Sequence, residues 1–189
     1  MLVWRLSAKQ YWKFDGAGAK AVGGRWNSPG YAVVYTSASA SLATLEFLAH
    51  VTRMRRVRDL VLTSAELPDD MRIERIGFSD LPAGWREFPS PEYLQKIGDE
   101  WITRRASAVL AVPSAVIPQE NNYLLNPNHP DFKRVRPNRP VPFPLDPRLT
   151  IGRDGDFWYA AGLGPASGLP RQPGPTPDWS GRRDLQARK

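Results

Sequence analysis

The sequence predicts a mixed α+β domain followed by a tail. Short runs of β-branched and aromatic residues alternate with two segments of helical periodicity, which is the pattern of strands interleaved with helices. From about Gly152 the composition shifts to Gly, Pro and Arg with no sustained period. A length of 189 residues suits one domain with a substantial core and is short for two. The reading is a domain over residues 1–151 and a flexible extension over 152–189, in which the aromatics of DFWYAAGLG are able to dock back.

Taken in order, LVWRL near the start reads as a short strand with apolar residues flanking Arg5. YAVVYTS is a stronger one, holding Val33, Val34 and Tyr35 between a Pro-Gly turn and a Ser cluster. SASLATLEFLAHV reads as a helix, with Ser39 as N-cap and Leu42, Leu45 and Ala49 on one face at i, i+3 and i+7. DLVLTSAEL is a strand. SPEYLQKIGDEWITRRA is a second helix, with Ser90 as cap, Pro91 at the first helical position and an inward stripe of Leu94, Ile97 and Trp101. AVLAVP is a short buried strand ended by Pro113. From Pro118 to Pro147 the prolines call for loops and short extended pieces in place of helix.

Composition narrows the function. Zero Cys excludes disulfides, thiolate catalysis and Cys-built zinc sites, and two His argue against a His-rich metal site. No run nears the roughly 18 apolar residues of a membrane span. The start, MLVWRLSAKQ, lacks the architecture of a secretory signal, so a cytoplasmic protein is expected. The formal charge of +7 either asks for an anionic partner or simply makes a soluble basic surface. From Arg153 onward six Arg or Lys stand against four Asp, so the tail carries +2 and the remainder of the chain +5.

Three places offer chemistry. Glu46 lies on or beside the apolar face of its own helix, four after Leu42 and three before Ala49. A carboxylate there costs several kcal/mol unless paired or hydrogen-bonded. It either pairs with His50 at i+4 or faces a cleft, where it stabilises developing positive charge. In VGGRWNSPG (22–30), Gly23 and Gly24 permit positive φ and close approach, so they aim Arg25 out of a turn, where a guanidinium suits phosphate groups; the plain alternative is a surface Arg on an ordinary turn. Ser114 follows a buried strand, with Asn122, Asn126 and His129 beyond it in a Pro-punctuated segment that also reads as loop scaffolding. No Gly-x-Ser-x-Gly elbow surrounds Ser114, so a hydrolase triad is poorly supported. The basic run RMRRVRD (53–59) can touch nucleic acid, or simply end a helix in solvent.

FDGAGAKAVGGRWNSPG, VVYTSASASLATLE, VPSAVIPQENNYLLNPNHPDF and PFPLDPRL, in that order, resemble the RES domain family, the toxins of bacterial type II toxin–antitoxin pairs. The resemblance runs from about Val3 to Leu149. The Arg, Glu and Ser of the family name match Arg25, Glu46 and Ser114.

The resemblance implies an ADP-ribosyltransferase-like fold, a split and mainly antiparallel sheet core with helices around an NAD cleft. It implies cleavage of NAD as a substrate, with phosphate or water as acceptor, and no separate cofactor. It also implies an Xre-type helix-turn-helix antitoxin that plugs the cleft and through which alone the complex meets DNA. Arg25 is then expected to anchor phosphate, Glu46 to stabilise the ribosyl cation and Ser114 to hydrogen-bond the substrate beside Asn122. Tyr35 is expected to stack on nicotinamide or donate a hydrogen bond, and Arg5 to offer a second phosphate contact. Two rivals remain: a transferase that passes ADP-ribose to a protein, and a non-catalytic nucleic-acid-binding domain resting on charge.

Overall fold

Residues 1–51 and 59–149 are described by the computed structural model. In chain order they form β1 (Leu2–Ala8), α1 (Ala17–Val22), β2 (Val34–Ser37), α2 (Ala40–His50), β3 (Leu60–Glu66), β4 (Ile73–Arg75), α3 (Glu92–Arg104), β5 (Val109–Pro113), β6 (Asn121–Leu125), β7 (Arg136–Pro137) and β8 (Val141–Pro142). The mixed α+β class is therefore as expected. The basic residues 53–58 and the extension 152–189, about which the sequence raised nucleic-acid contact and docking, lie outside the described residues.

The strands make one sheet in the order β4-β5-β6-β2-β1-β3-β7, with β8 also pairing β3. Every pairing is antiparallel except β4 with β5. The sheet is continuous, and its thinnest joint lies between β2 and β1. β1 runs beside β3 through seven registered pairs but meets β2 only at Trp4↔Ser37. Two halves, β4-β5-β6-β2 and β1-β3-β7, thus stay hydrogen-bonded at one point and part beyond it.

Both faces of the first half are covered, which is why β5 reads as an unbroken apolar run. On one face Leu110, Val112 and Leu124 pack with Leu94, Trp101 and Ile102 of α3 and with Trp26 and Trp85. On the other, Val109, Ala111 and Leu125 join Val3, Val34, Phe14, Met71 and Val135. α2 lies against β1 and β2. Each fully buried Leu or Val contributes roughly 1.5–3 kcal/mol relative to exposure.

Several local expectations need revision. Ser39 does cap α2, accepting from Leu42 N at 3.1 Å. The helix is rotated from the expected stripe, however: Leu42, Ala43, Thr44 and Leu48 are buried, while Leu45 and Ala49 are exposed. Its apolar side meets the β1–β2 seam, and a neighbouring side is left open. α3 starts at Glu92, with Pro91 as N-cap and no side-chain cap, so Ser90 does not serve. Its inward stripe includes Gly98 and Ile102 as well as Leu94 and Trp101, with Ile97 half-buried. β6, inside the proline-rich stretch, is an inner strand between β5 and β2, because its five residues carry no proline. Among the described residues no helix is long and apolar enough to cross a membrane.

Candidate active site

Glu46 sits on the second turn of α2 and is half-buried. Its carboxylate does not pair with His50. Instead Oε1 accepts hydrogen bonds from Ser114 Oγ at 2.6 Å and from Asn122 Nδ2 at 2.5 Å. Each donor is itself fixed. Ser114 Oγ accepts from the backbone N–H groups of Val116 (3.1 Å) and Ile117 (2.9 Å), so its single proton is directed at Glu46. Asn122 Oδ1 accepts from Ser37 Oγ at 2.7 Å, which leaves its Nδ2 to face the carboxylate. The sheet register places this chain of contacts, since Asn122 stands between Val112 of β5 and Ser37 of β2. Charge-assisted bonds of this kind are roughly twice as strong as neutral ones. The carboxylate is thereby locked before any ligand arrives.

Ser114 has no exposed surface and does not line the cleft. Its hydroxyl lies behind the Glu46 carboxylate, whereas the resemblance led to the expectation of a substrate contact. Ser37 is a residue that sequence reasoning missed. Its signal, a Ser at a strand end, is common and carries no spacing.

Arg25 projects from the turn after α1. Gly23 has φ of 76°, whereas Gly24 is needed for room: a Cβ there would fall 2.5 Å from the Tyr35 hydroxyl. That hydroxyl donates to Asn27 Oδ1 at 2.7 Å and accepts from Trp26 N at 3.0 Å. Asn27, fully buried, donates from Nδ2 to the carbonyls of Ala19, Ser28 and Tyr31. α3 anchors the same turn, because Gln95 Nε2 donates to Gly24 O and Asp99 Oδ1 accepts from Ser28 N. The double glycine and the Asn thus do what the nonapeptide hinted: they build a rigid turn that aims Arg25.

The Arg25 guanidinium donates through Nη1 to Trp85 O at 2.7 Å and through Nη2 to Glu87 O at 3.2 Å. Burial pulls its pKa below the ordinary value, with the Glu46 carboxylate the largest opposing influence, followed by Tyr35 and Tyr93. The Glu46 charge thus bears on Arg25 from across the site. Burial likewise lowers Arg5, opposed by Asp15, and Arg5 Nη1 donates to Lys13 O at 2.8 Å. Burial pushes the Tyr35 phenol far up. Its hydroxyl is engaged inside the turn.

A cleft of about 1390 Å³ opens where the sheet halves part. Its size exceeds the several hundred Å³ of an ordinary small-ligand pocket. Arg5, Arg25, Tyr35, Glu46 and Asn122 all line it, so five of the six residues singled out from the sequence share one cavity, with Ser114 directly behind. Trp4 and Phe47 add apolar wall. Asn126 and His129 serve elsewhere: Asn126 Oδ1 accepts from Asn128 N, and His129 Nδ1 accepts from Asp131 N, as loop scaffolding. Among the described residues no three His, Asp or Glu side chains gather as a metal ion would need.

Fold and site together define an α+β domain that presents a locked carboxylate and a half-buried guanidinium across a cleft between parted sheet halves. The RES domain model matches residues 2–146, and the chain belongs to the RES domain family. Among curated relatives, "Toxin Res" of Yersinia enterocolitica is 38% identical over 152 residues, covering 79% of this chain and 99% of the relative. "Prs ADP-ribosylating toxin" of a Sphingobium species is 36% identical over 152 residues, covering 77% and 94%. Among solved structures, the M. tuberculosis MbcT–MbcA toxin–antitoxin complex holds a chain that matches with a TM-score of 0.65 at 16% identity, covering 78% of this chain and 85% of that one. That likeness is one of fold.

Proposed function

We propose that this chain is the toxin of a toxin–antitoxin pair and that it cleaves the bond between nicotinamide and ribose in NAD. The observation that carries the reading is the locked Glu46 carboxylate, held by Ser114 and Asn122 at the wall of a dinucleotide-sized cleft that Arg25 and Arg5 also line. The names of the relatives, among them a Res toxin and an ADP-ribosylating toxin, support it.

Breaking this bond creates an oxocarbenium-like ribosyl centre while nicotinamide leaves uncharged. The leaving group needs no proton, so a cleft poor in acids suffices. The step gains most from a negative charge already in place, because a fixed dipole or charge costs no reorganisation as the transition state forms. Glu46 supplies that charge. Asn122 and Ser114 keep it from turning away, and Asn122 also forms the cleft wall. Arg25 and Arg5 take the phosphate groups of the dinucleotide or an attacking phosphate, and the Tyr35 ring lies against nicotinamide. Inorganic phosphate is the expected co-substrate, giving ADP-ribose 1″-phosphate, with water as the other acceptor; NAD is consumed and no cofactor is required. The positive charge of the chain draws such anions in.

The partner is an antitoxin, an Xre-type helix-turn-helix protein that covers the cleft and supplies the DNA contact; the place of action is the cytoplasm. A second reading keeps the same cleft and passes ADP-ribose to a protein, favoured by the name of the Sphingobium relative. NMR of NAD with the purified chain, with and without phosphate, separates them. Nicotinamide release that depends on phosphate, with a new ribosyl phosphate signal, supports phosphorolysis. Intact NAD in both, with a labelled adduct on a lysate protein, supports the transferase.

A further inference from the structure

We infer that His50 is the general base for acceptors that carry a proton, water or a hydroxyl, so that the cleft serves O–H nucleophiles as well as anions. The inference rests on the NAD-cleaving reading above. It starts from what the cleft contains. Its titratable or charged lining groups are Arg5, Lys9, Tyr11, Arg25, Tyr35, Glu46, His50 and Asp59, and His50 is the imidazole among them. The Arg side chains are donors without an acceptor lone pair, and the Tyr35 hydroxyl is engaged with Asn27 and Trp26. Glu46 is committed: its Oε1 takes two donors, and its charge is needed opposite the ribosyl cation.

His50 is four residues beyond Glu46 on α2, one turn along the same helix face, and both line the cleft. His50 Nδ1 lies 2.8 Å from the backbone oxygen of Glu46. A carbonyl oxygen only accepts, so Nδ1 carries the hydrogen and the lone pair resides on Nε2. The same main-chain atom that belongs to the catalytic carboxylate's residue thereby sets the tautomer a base requires. His50 is exposed, so Nε2 is open to an incoming acceptor.

The step balances simply. The acceptor oxygen forms a bond to C1″ as the C1″–nicotinamide bond breaks, and that bond's electron pair neutralises the nicotinamide nitrogen. The proton of water or of the hydroxyl passes to His50 Nε2 and later to solvent. An anionic acceptor brings no such proton and has no use for the imidazole. His50 therefore determines which acceptors compete with phosphate, without affecting how the nicotinamide bond is activated.

The test uses the full chain and compares His50→Ala and His50→Gln with wild type, with azide as the anionic acceptor and water as the protonated one. Hydrolysis should fall about 10²-fold, the lower end of what a general base supplies, while azide-dependent NAD consumption holds at the wild-type rate. Three results overturn the inference. Equal loss with both acceptors, together with a lower Tm, marks His50 as a helix cap. Unchanged hydrolysis removes it from the reaction. Loss in Asp59→Asn but not in His50→Ala assigns the base to Asp59. In each of these the wild type still consumes NAD and the parent reading stands; a wild type inert towards NAD with azide, water and phosphate alike overturns both.

Discussion

Glu46→Gln separates charge from shape at the centre of the site. Glutamine keeps an oxygen that can accept from Ser114 Oγ and Asn122 Nδ2, now 2.6 and 2.5 Å away, and it fills the same volume. What it removes is one negative charge facing the ribosyl cation. Two unit charges about 4 Å apart interact by about 4 kcal/mol at an effective dielectric constant of about 20, the value suited to a partly exposed site. That energy corresponds to a rate loss of about 10³-fold. Nicotinamide release at saturating NAD is the assay, with Tm measured beside it, since a partly buried carboxylate is a cost to folding and its loss should leave Tm equal or higher. Glu46→Asp should fall between the two, keeping the charge but withdrawing it from both donors. A loss in Glu46→Gln smaller than about tenfold, ~1.4 kcal/mol, would refute an electrostatic role for this carboxylate.

Three other perturbations probe the support. Asn122→Ala deletes one charge-assisted bond to Glu46 and strands Ser37 Oγ; a loss of about 1.5–3 kcal/mol should appear in kcat, with KM little changed, by steady-state kinetics. Tyr35→Phe removes the hydroxyl that ties Asn27 to Trp26, so the urea midpoint should drop. The same phenol sets an alkaline dependence. Its folded pKa lies far above the unfolded value of about 10, so its contribution is complete below that pH and is lost as pH rises beyond it. Wild type should therefore lose more stability than Tyr35→Phe when urea midpoints at high and neutral pH are compared. Gly98→Ala would place a Cβ 1.7 Å from the Trp26 carbonyl oxygen, which belongs to backbone and cannot step aside. A cost of about 3 kcal/mol or more is expected, and NAD consumption should fall with Tm because the Arg25 turn is displaced.

Much of the site is legible in the amino-acid sequence. Arg25 is offered by two adjacent glycines that can aim it out of a turn, though an ordinary turn with a surface Arg explains them equally, and Glu46 stands out because a carboxylate next to Leu42 on a helix needs a partner. The ordered blocks, VGGRWNSPG through PFPLDPRL, then tie these to one family. Individual spacings do less well. The stripe assigned to α2 is off by a rotation, since a helix that borders a cleft buries less than a full face and periodicity alone does not say which edge stays open. β4 and α1 escape notice because three- and six-residue elements leave too little pattern to count.

The sequence by itself determined the class of the domain and its family, and it offered residues that turn out to line one cleft, because those follow from local pattern and from motifs whose order survives. Only the tertiary structure decided what each residue does there. Ser114 and Asn122 come from the end of β5 and from β6, far along the chain from Glu46, and it is the antiparallel register that brings them to one oxygen. The register also gives Ser37 its place beside Asn122, and it leaves β1 and β2 joined at a single pair so that a cleft can open. Contacts between residues 68 and 76 positions apart carry no local signature. They depend on how strands pair, and pairing is settled by burial across the whole sheet.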